Sequence, residues 1–159
     1  MEGITKGNEW RVMLGEIVSL PDKRLRYISY ESEGETYIIH AESTSSEAEC
    51  PYCGIVSSKI HSIYTRRLQD LPIQGKKVKL ALHNRKYFCV NPECNHKTFA
   101  ERFDFYEPKA VRTKRLQAEI VRISLTQSSI SASKYLRNSV ADVGKSAICD
   151  MLKKRNGHG

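Results

Sequence analysis

Residues 50–54 read Cys50-Pro51-Tyr52-Cys53-Gly54, and residues 89–94 read Cys89-Val90-Asn91-Pro92-Glu93-Cys94. Two such close cysteine pairs are the usual ligand inventory of a structural zinc site. Sulfur ligation also suits iron–sulfur clusters, but nothing redox accompanies these cysteines, and a thioredoxin-like pair would open a helix that residues 54–57 do not predict. The sequence therefore predicts one zinc ion held by Cys50, Cys53, Cys89 and Cys94, with inert thiols as the remaining interpretation.

Four protein ligands leave no coordination position for water, so this zinc is predicted to be structural rather than catalytic. Its role would be to hold together a β region too small to fold around its own core. His96, two residues after Cys94, could replace it in a site of three cysteines and one histidine, although a surface histidine is the commoner case. Cys149 stands alone and is interpreted as a buried or inert thiol.

Charge is distributed unevenly along the 159 residues, which carry 26 Lys+Arg, 18 Asp+Glu and a net charge of +8. Residues 1–49 hold five basic and ten acidic side chains, whereas residues 50–159 hold twenty-one basic and eight acidic ones. A basic body after an acidic third is typical of a protein that binds a polyanion.

Several classes of protein are excluded on the same composition. No apolar run approaches the ~20 residues of a membrane helix, and the N-terminus lacks the basic and apolar regions of a secretion signal. Five unevenly spaced cysteines argue against a secreted disulfide framework. We expect a cytoplasmic protein in a reducing compartment.

The pattern of the chain predicts an α+β fold in three segments. Residues 1–49 would form a helix over 8–19 and a hairpin over 25–39, and residues 50–108 a zinc-stabilised, zinc-ribbon-like β domain. Residues 109–159 predict three short helices, the first capped by Thr113, the others over about 129–137 and 143–155. Three helices with a tight last turn are compatible with a helix-turn-helix DNA-binding domain, and a plain three-helix bundle fits the periodicity equally well.

A series of motifs follows in a defined order: Cys50-Pro-Tyr-Cys53-Gly, His61-Ser-Ile-Tyr-Thr-Arg-Arg-Leu-Gln-Asp-Leu-Pro72, Val78-Lys-Leu, Arg85-Lys-Tyr-Phe-Cys89-Val-Asn and Phe99-Ala-Glu-Arg102. Their order and spacing resemble the zinc-binding N-terminal region of the ISL-three type of bacterial insertion-sequence transposases. Arg112-Thr-Lys-Arg-Leu116 and the helices after it resemble the helix-turn-helix of that family. The resemblance covers roughly residues 10–155.

The resemblance implies binding of double-stranded DNA at the terminal inverted repeats of a mobile element. Base contacts are predicted for the start of the third helix and phosphate contacts for the basic clusters. The predicted DNA-binding residues are Arg66, Arg67, Lys77, Arg85, Lys86, Arg112, Lys114, Arg115, Lys145, Ser146, Lys153 and Lys154.

Members of this family continue into a ribonuclease-H-like domain with a DDE carboxylate triad. The helical tail here holds only Glu119, Asp142 and Asp150 as acidic residues, none at the end of a predicted strand, whereas two-metal strand transfer needs convergent carboxylates. We therefore expect the recognition part of a transposase, truncated or a fragment, without the catalytic domain and without enzyme activity.

Two other functions remain open. The chain could be a stand-alone regulator that occupies element ends and inhibits transposition, or a zinc-ribbon adaptor whose acidic third docks a basic protein. A two-ended element also favours a homodimer or association with a full-length transposase.

Overall fold

The computed structural model describes residues 16–157 of the chain. Residues 16–18 are helical, and the first eight residues of the helix predicted over 8–19 lie outside the described range. Seven strands and three helices follow: β1 (Leu25–Glu33), β2 (Thr36–Ser43), β3 (Ala48–Glu49), β4 (Val56–Ser57), β5 (Ile60–Ile73), β6 (Lys76–Phe88), β7 (Thr98–Ala100), α1 (Lys114–Ser124), α2 (Ser129–Ser139) and α3 (Lys145–Asn156). The predicted α+β class is confirmed.

Strands β1, β2, β6 and β5 lie side by side in that order, and β7 pairs antiparallel with the end of β6. Strands β3 and β4 form a separate antiparallel pair. The predicted hairpin over residues 25–39 is confirmed by β1 and β2, which are joined by Gly34 and Glu35.

The turn between β5 and β6 consists of Gln74 and Gly75, whose φ angles are 51° and 76°. Positive φ at both central residues is the requirement of a type I′ turn, whose twist matches that of the two strands. The sequence predicts a strand only over Lys59–Tyr64 here, but β5 continues through Pro72 to Ile73. Because β5 lies at the end of the sheet order, a proline there interrupts no central ladder of hydrogen bonds.

The chain divides into two compact units. Among the described residues, unit 1 comprises 16–29, 39–66 and 81–104, and unit 2 comprises 30–38, 67–80 and 105–157. The long strands β1, β2, β5 and β6 each contribute residues to both units. The segment boundaries at residues 50 and 109 remain predictions.

The core of unit 2 is built by the three helices, each of which packs against the other two. Leu116 and Ile120 of α1, Leu136 of α2 and Ile148 of α3 are completely buried in one cluster, and Leu71 of β5 packs against it. The helical spacing that predicted these elements is the spacing that brings their apolar side chains to one face.

Helix α1 begins at a polar network that ties it to β5. Thr113 is its N-cap, as predicted, and its hydroxyl accepts a hydrogen bond from the Leu116 amide at 3.3 Å. The same hydroxyl donates to the Asp70 carboxylate at 2.8 Å, and Arg115 Nε donates to Asp70 at 2.8 Å. Because the Asp70 side chain is only 5% exposed, these two partners replace the hydrogen bonds that it would otherwise make to water.

We predict that Asp70→Ala destabilises unit 2 by about 3 kcal/mol, because it leaves the Arg115 guanidinium and the Thr113 hydroxyl without their buried acceptor. Asp70→Asn should cost less, since an amide oxygen still accepts from Thr113. Urea unfolding followed by far-UV circular dichroism measures both. Asp150→Ala, which removes an exposed carboxylate from α3, is the control. Equal stability of the Asp70→Ala and Asp150→Ala variants would contradict the prediction.

Candidate metal centre and nucleic-acid interface

The first cysteine pair lies in a tight turn that follows β3. The Gly54 amide donates to the Cys50 carbonyl at 2.8 Å, and the Cys50 amide donates to the Ile55 carbonyl at 2.9 Å. Gly54 has φ 77°, a backbone conformation that only glycine adopts without strain. The turn therefore points the Cys50 and Cys53 thiols to the same side.

The second pair lies between β6 and β7. The Cys89 amide donates to the Lys97 carbonyl at 2.9 Å, and the Cys94 amide donates to the Asn91 carbonyl at 3.1 Å. The Asn91 side chain also accepts from the Glu93 amide at 3.0 Å, an arrangement by which asparagine stabilises a turn. Cys89 thus follows directly on β6, and Cys94 is returned toward it by the loop.

The four sulfur atoms of Cys50, Cys53, Cys89 and Cys94 lie within 4.8 Å of one another. Zn–S bonds of about 2.3 Å in a tetrahedron place sulfur atoms ~3.8 Å apart, and the Cys53 and Cys89 sulfurs are separated by 3.6 Å. Four sulfur donors at this spacing fit the tetrahedral coordination of zinc. The four cysteines form the site of a structural zinc ion, as predicted.

The pKa values of two thiols in this cluster, Cys53 and Cys89, are shifted in opposite directions. The backbone amide of Ile55 lowers the pKa of Cys53 to about 7. The amide of Asn91 acts in the same direction on Cys89, but burial and the neighbouring cysteines raise the pKa of Cys89 to about 12. A divalent cation stabilises all four thiolates, so its binding releases protons and holds the two turns together.

The zinc site packs against a small aromatic core. Cys50 and Cys94 are buried with Tyr87 of β6 and Phe99 of β7, whose ring centroids are 5.8 Å apart. Tyr87 and Phe99 are directly paired across the two strands. Few of the described side chains share this core, so we expect zinc to supply much of its stability.

His96 occupies a different position from the one that ligation requires. Its ring stacks on Tyr52, with centroids 3.5 Å apart and planes 3° apart, and both side chains are exposed. The described ligand cluster consists of the four cysteines and does not include His96.

The predicted DNA-binding residues lie in both units. On α3, Lys145 and Ser146 are exposed in the first turn, and Lys153 and Lys154 in the last. In unit 1, Arg66, Arg85 and Lys86 are half-buried, and the Arg85 guanidinium donates to the Ser45 carbonyl. Arg67 of unit 2 is exposed.

Four further predicted DNA-binding residues are cations that have a carboxylate or carbonyl partner inside unit 2. Arg115 binds Asp70, and the Lys114 ammonium lies 2.8 Å from the Glu107 carboxylate. Lys77 and Arg112 both bind Asp142. Their roles at DNA stay predictions, and the structure shows what else these side chains do.

Asp142 lies in the turn between α2 and α3 and is held from three sides, a group that we call the Asp142 clamp. Lys77 donates to its carboxylate at 2.7 Å, and Arg112 donates to its carbonyl at 2.8 Å. The Gln69 side chain accepts from the Asp142 amide at 2.6 Å and donates to its carbonyl at 3.3 Å. The hydrogen bond from Lys77 lowers the pKa of Asp142.

Sequence reasoning missed this clamp. Gln69 and Asp142 are 73 residues apart, and neither carries a local signal of the other. The one hint was the position of Asp142 as an acidic residue in the predicted turn of a basic segment. The clamp connects β5, β6 and the start of α1 to the turn that precedes α3.

Residues 46–94 match the family model of the zinc-finger of transposase IS204/IS1001/IS1096/IS1165. The match includes all four cysteines. Comparison with curated proteins and with solved structures gave no significant match. The zinc-binding part of unit 1 is therefore similar to a transposase zinc finger, in agreement with the resemblance seen in the sequence.

Within residues 16–157, no helix has the length and apolar character needed to cross a bilayer.

We predict that one zinc ion per chain is required for the fold of unit 1. A strong chelator should remove it and unfold the cysteine turns, since structural zinc contributes on the order of 10 kcal/mol of binding free energy. Metal analysis and a thermal melt with and without chelator measure this. Cys53→Ser should lose zinc, whereas Cys149→Ser, which changes the fifth cysteine on α3, should retain it. A chain that melts identically after chelation would overturn the assignment.

For the Asp142 clamp, we predict that Gln69→Ala costs about 1–2 kcal/mol, because it removes two hydrogen bonds and leaves the Asp142 amide without its acceptor. Lys77→Met should cost only ~0–1 kcal/mol, since the Asp142 side chain is 61% exposed and water screens that ion pair. Urea unfolding ranks the two variants, and hydrogen exchange at the Asp142 amide should accelerate in Gln69→Ala. The reverse ranking would show that the ion pair dominates.

Proposed function

We propose that this chain binds double-stranded DNA as the end-recognition part of a transposase. The observation that carries the proposal is the match of residues 46–94 to a transposase zinc finger, on a site whose four cysteines converge. The charge distribution supports it, because residues 50–159 hold twenty-one basic and eight acidic side chains. Lys and Arg placed on phosphates release counterions and supply affinity for any DNA sequence.

Helix α3 is the element best suited to enter a groove. Its first turn contains no acidic side chain, and its last turn contains Lys153, Lys154 and Arg155. Its N-cap is Gly144, which has no side chain to accept from the first helical amides. In this proposal Lys145 and Ser146 contact base edges, while the lysines of the last turn contact phosphates.

The arrangement of the three helices supports a helix-turn-helix function. In such domains a last helix reads the groove and the two earlier ones hold it in place. Here α3 packs on both α1 and α2, and the Asp142 clamp holds the turn that precedes it. A rigid turn would reduce the ordering cost when α3 meets DNA.

We propose that residues 16–157 do not catalyse strand transfer, and the separate positions of the carboxylates in the helical tail support this. Glu119 forms an ion pair with Arg122, Asp142 belongs to the clamp, and Asp150 is exposed on α3. Among the described residues, the cysteine cluster is the only convergent group of three or more metal-ligating side chains.

A mobile element presents two ends, so the proposal includes a homodimer, or association with a full-length transposase, on nucleoid DNA in the cytoplasm. A chain that occupies element ends without cutting them would also act as a regulator of transposition.

The test is fluorescence anisotropy with element-end duplex and scrambled duplex over a series of salt concentrations. We expect affinity to fall as salt rises, with a slope of about −0.9 per phosphate contacted. Lys153→Gln should reduce that slope by about one and weaken both duplexes equally, whereas Ser146→Ala should weaken only the element-end duplex.

Lys23→Gln is the control, since Lys23 is an exposed lysine of the acidic N-terminal third. Equal affinity of the wild-type chain for both duplexes would disprove end recognition. A flat salt response would disprove the phosphate contacts as well.

A further inference from the structure

A second surface of unit 1 lies beside the zinc site, where the start of β5 meets the end of β6. The Phe88 amide donates to the Lys59 carbonyl at 2.8 Å. The rings of His61 and Phe88 meet edge to face with centroids 4.7 Å apart. We call Lys59, His61, Lys86 and Phe88 the ring surface.

Apolar side chains at and beside the ring surface are partly exposed to solvent. Phe88 is 44% exposed, although its neighbour Tyr87 is completely buried against the zinc cysteines. Ile63, which lies two residues after His61 in β5 and therefore on the same face of the strand, is 58% exposed. Single exposed apolar side chains are ordinary, but several at one place indicate a binding surface.

Cations accompany these rings. Lys59 is exposed, and Lys86 lies two residues before Phe88 on the same strand, so that its side chain leaves the same face. Residues 50–92 contain only one acidic residue, Asp70, which is buried in unit 2. A ligand that stacks on flat rings and carries negative charge therefore fits better than an apolar protein segment.

Nucleic acid has flat bases that can stack on rings and phosphates that carry negative charge. The accessibility of the base faces then distinguishes a single strand from a duplex. In a duplex the faces of the bases stack on each other and cannot be reached by Phe88 or His61. In a single strand the faces are free, and aromatic side chains that stack on bases between backbone-binding cations are the usual recognition device.

We propose that the ring surface binds single-stranded nucleic acid. Phe88 and His61 stack on bases, and Lys59 and Lys86 contact phosphates. Single-strand binding by the ring surface is separate from duplex binding by the helices and does not depend on duplex binding. The Cys89 ligand follows Phe88 directly in the chain, so the zinc site holds the end of β6 in position.

The experiment uses the zinc-loaded full chain with dye-labelled oligo-dT, oligo-rU and a duplex of equal length. We expect Phe88→Ala to weaken binding of the single strands by about tenfold and to leave duplex binding unchanged. Phe88→Trp should retain the affinity, and its added indole emission should be quenched when a base stacks on it. A preference for oligo-dT or oligo-rU assigns the ligand as DNA or RNA.

Leu125→Ala is the matched control, because it removes a side chain of similar exposure, 56%, from unit 2. Zinc content is measured for every variant. If Phe88→Ala releases zinc, the double variant Lys59→Gln with His61→Ala takes its place, and the same tenfold loss is expected.

Three results would overturn the proposal. The wild-type chain could fail to bind either single strand, the variants could bind them as well as wild type, or the added indole emission of the Phe88→Trp variant could stay unquenched. Loss of a sedimenting dimer in Phe88→Ala, with oligonucleotide binding unchanged, would assign the ring surface to a protein contact instead. Duplex binding measured in parallel keeps these results distinct from failure of end recognition.

Discussion

Four sulfur atoms from two distant segments must meet within 4.8 Å, and the local structure of unit 1 follows from this requirement. Cys53 and Cys89 are 36 residues apart in the chain, and without a cation between them two thiolates at this separation would repel each other. Zinc offsets that repulsion and joins the turn after β3 to the end of β6. Zinc ligation by Cys89 fixes the position of the end of β6. The pairing of Tyr87 with Phe99 and the exposure of Phe88 both depend on that position.

Unit 2 is stabilised in a different way. Its three helices bury Leu116, Leu136 and Ile148 in an ordinary apolar core, for which no metal is needed. The polar side chains at its margin then set the position of individual elements. Asp70 anchors the start of α1 through Thr113 and Arg115, and the Asp142 clamp anchors the turn before α3. Polar side chains of the strands thus hold the helices in position. Burying them costs little free energy, because most of them have hydrogen-bond partners within the unit.

The basic residues show where sequence reasoning reaches its limit. Their number predicts a polyanion partner, since net charge acts over the whole surface whatever the fold. Their individual roles depend on which carboxylates the fold places beside them. Arg115 and Lys77 have buried or clamped partners, whereas Lys145 and Lys153 project from α3 into solvent. The same side-chain chemistry therefore stabilises the fold in one place and faces solvent in another.

The sequence by itself determined the two cysteine pairs, the Thr113 cap, the first hairpin and the three helices, because each of these features is encoded by residues within a few positions of one another. It also determined the likeness to transposase zinc fingers. Only the tertiary structure decided the partners of Asp70 and Asp142, which lie 45 and 73 residues from Arg115 and Gln69. It also decided that Tyr87 faces the metal site and Phe88 the solvent. Strand alternation requires that neighbours point opposite ways, but which of them is buried depends on what the rest of the chain packs against each face.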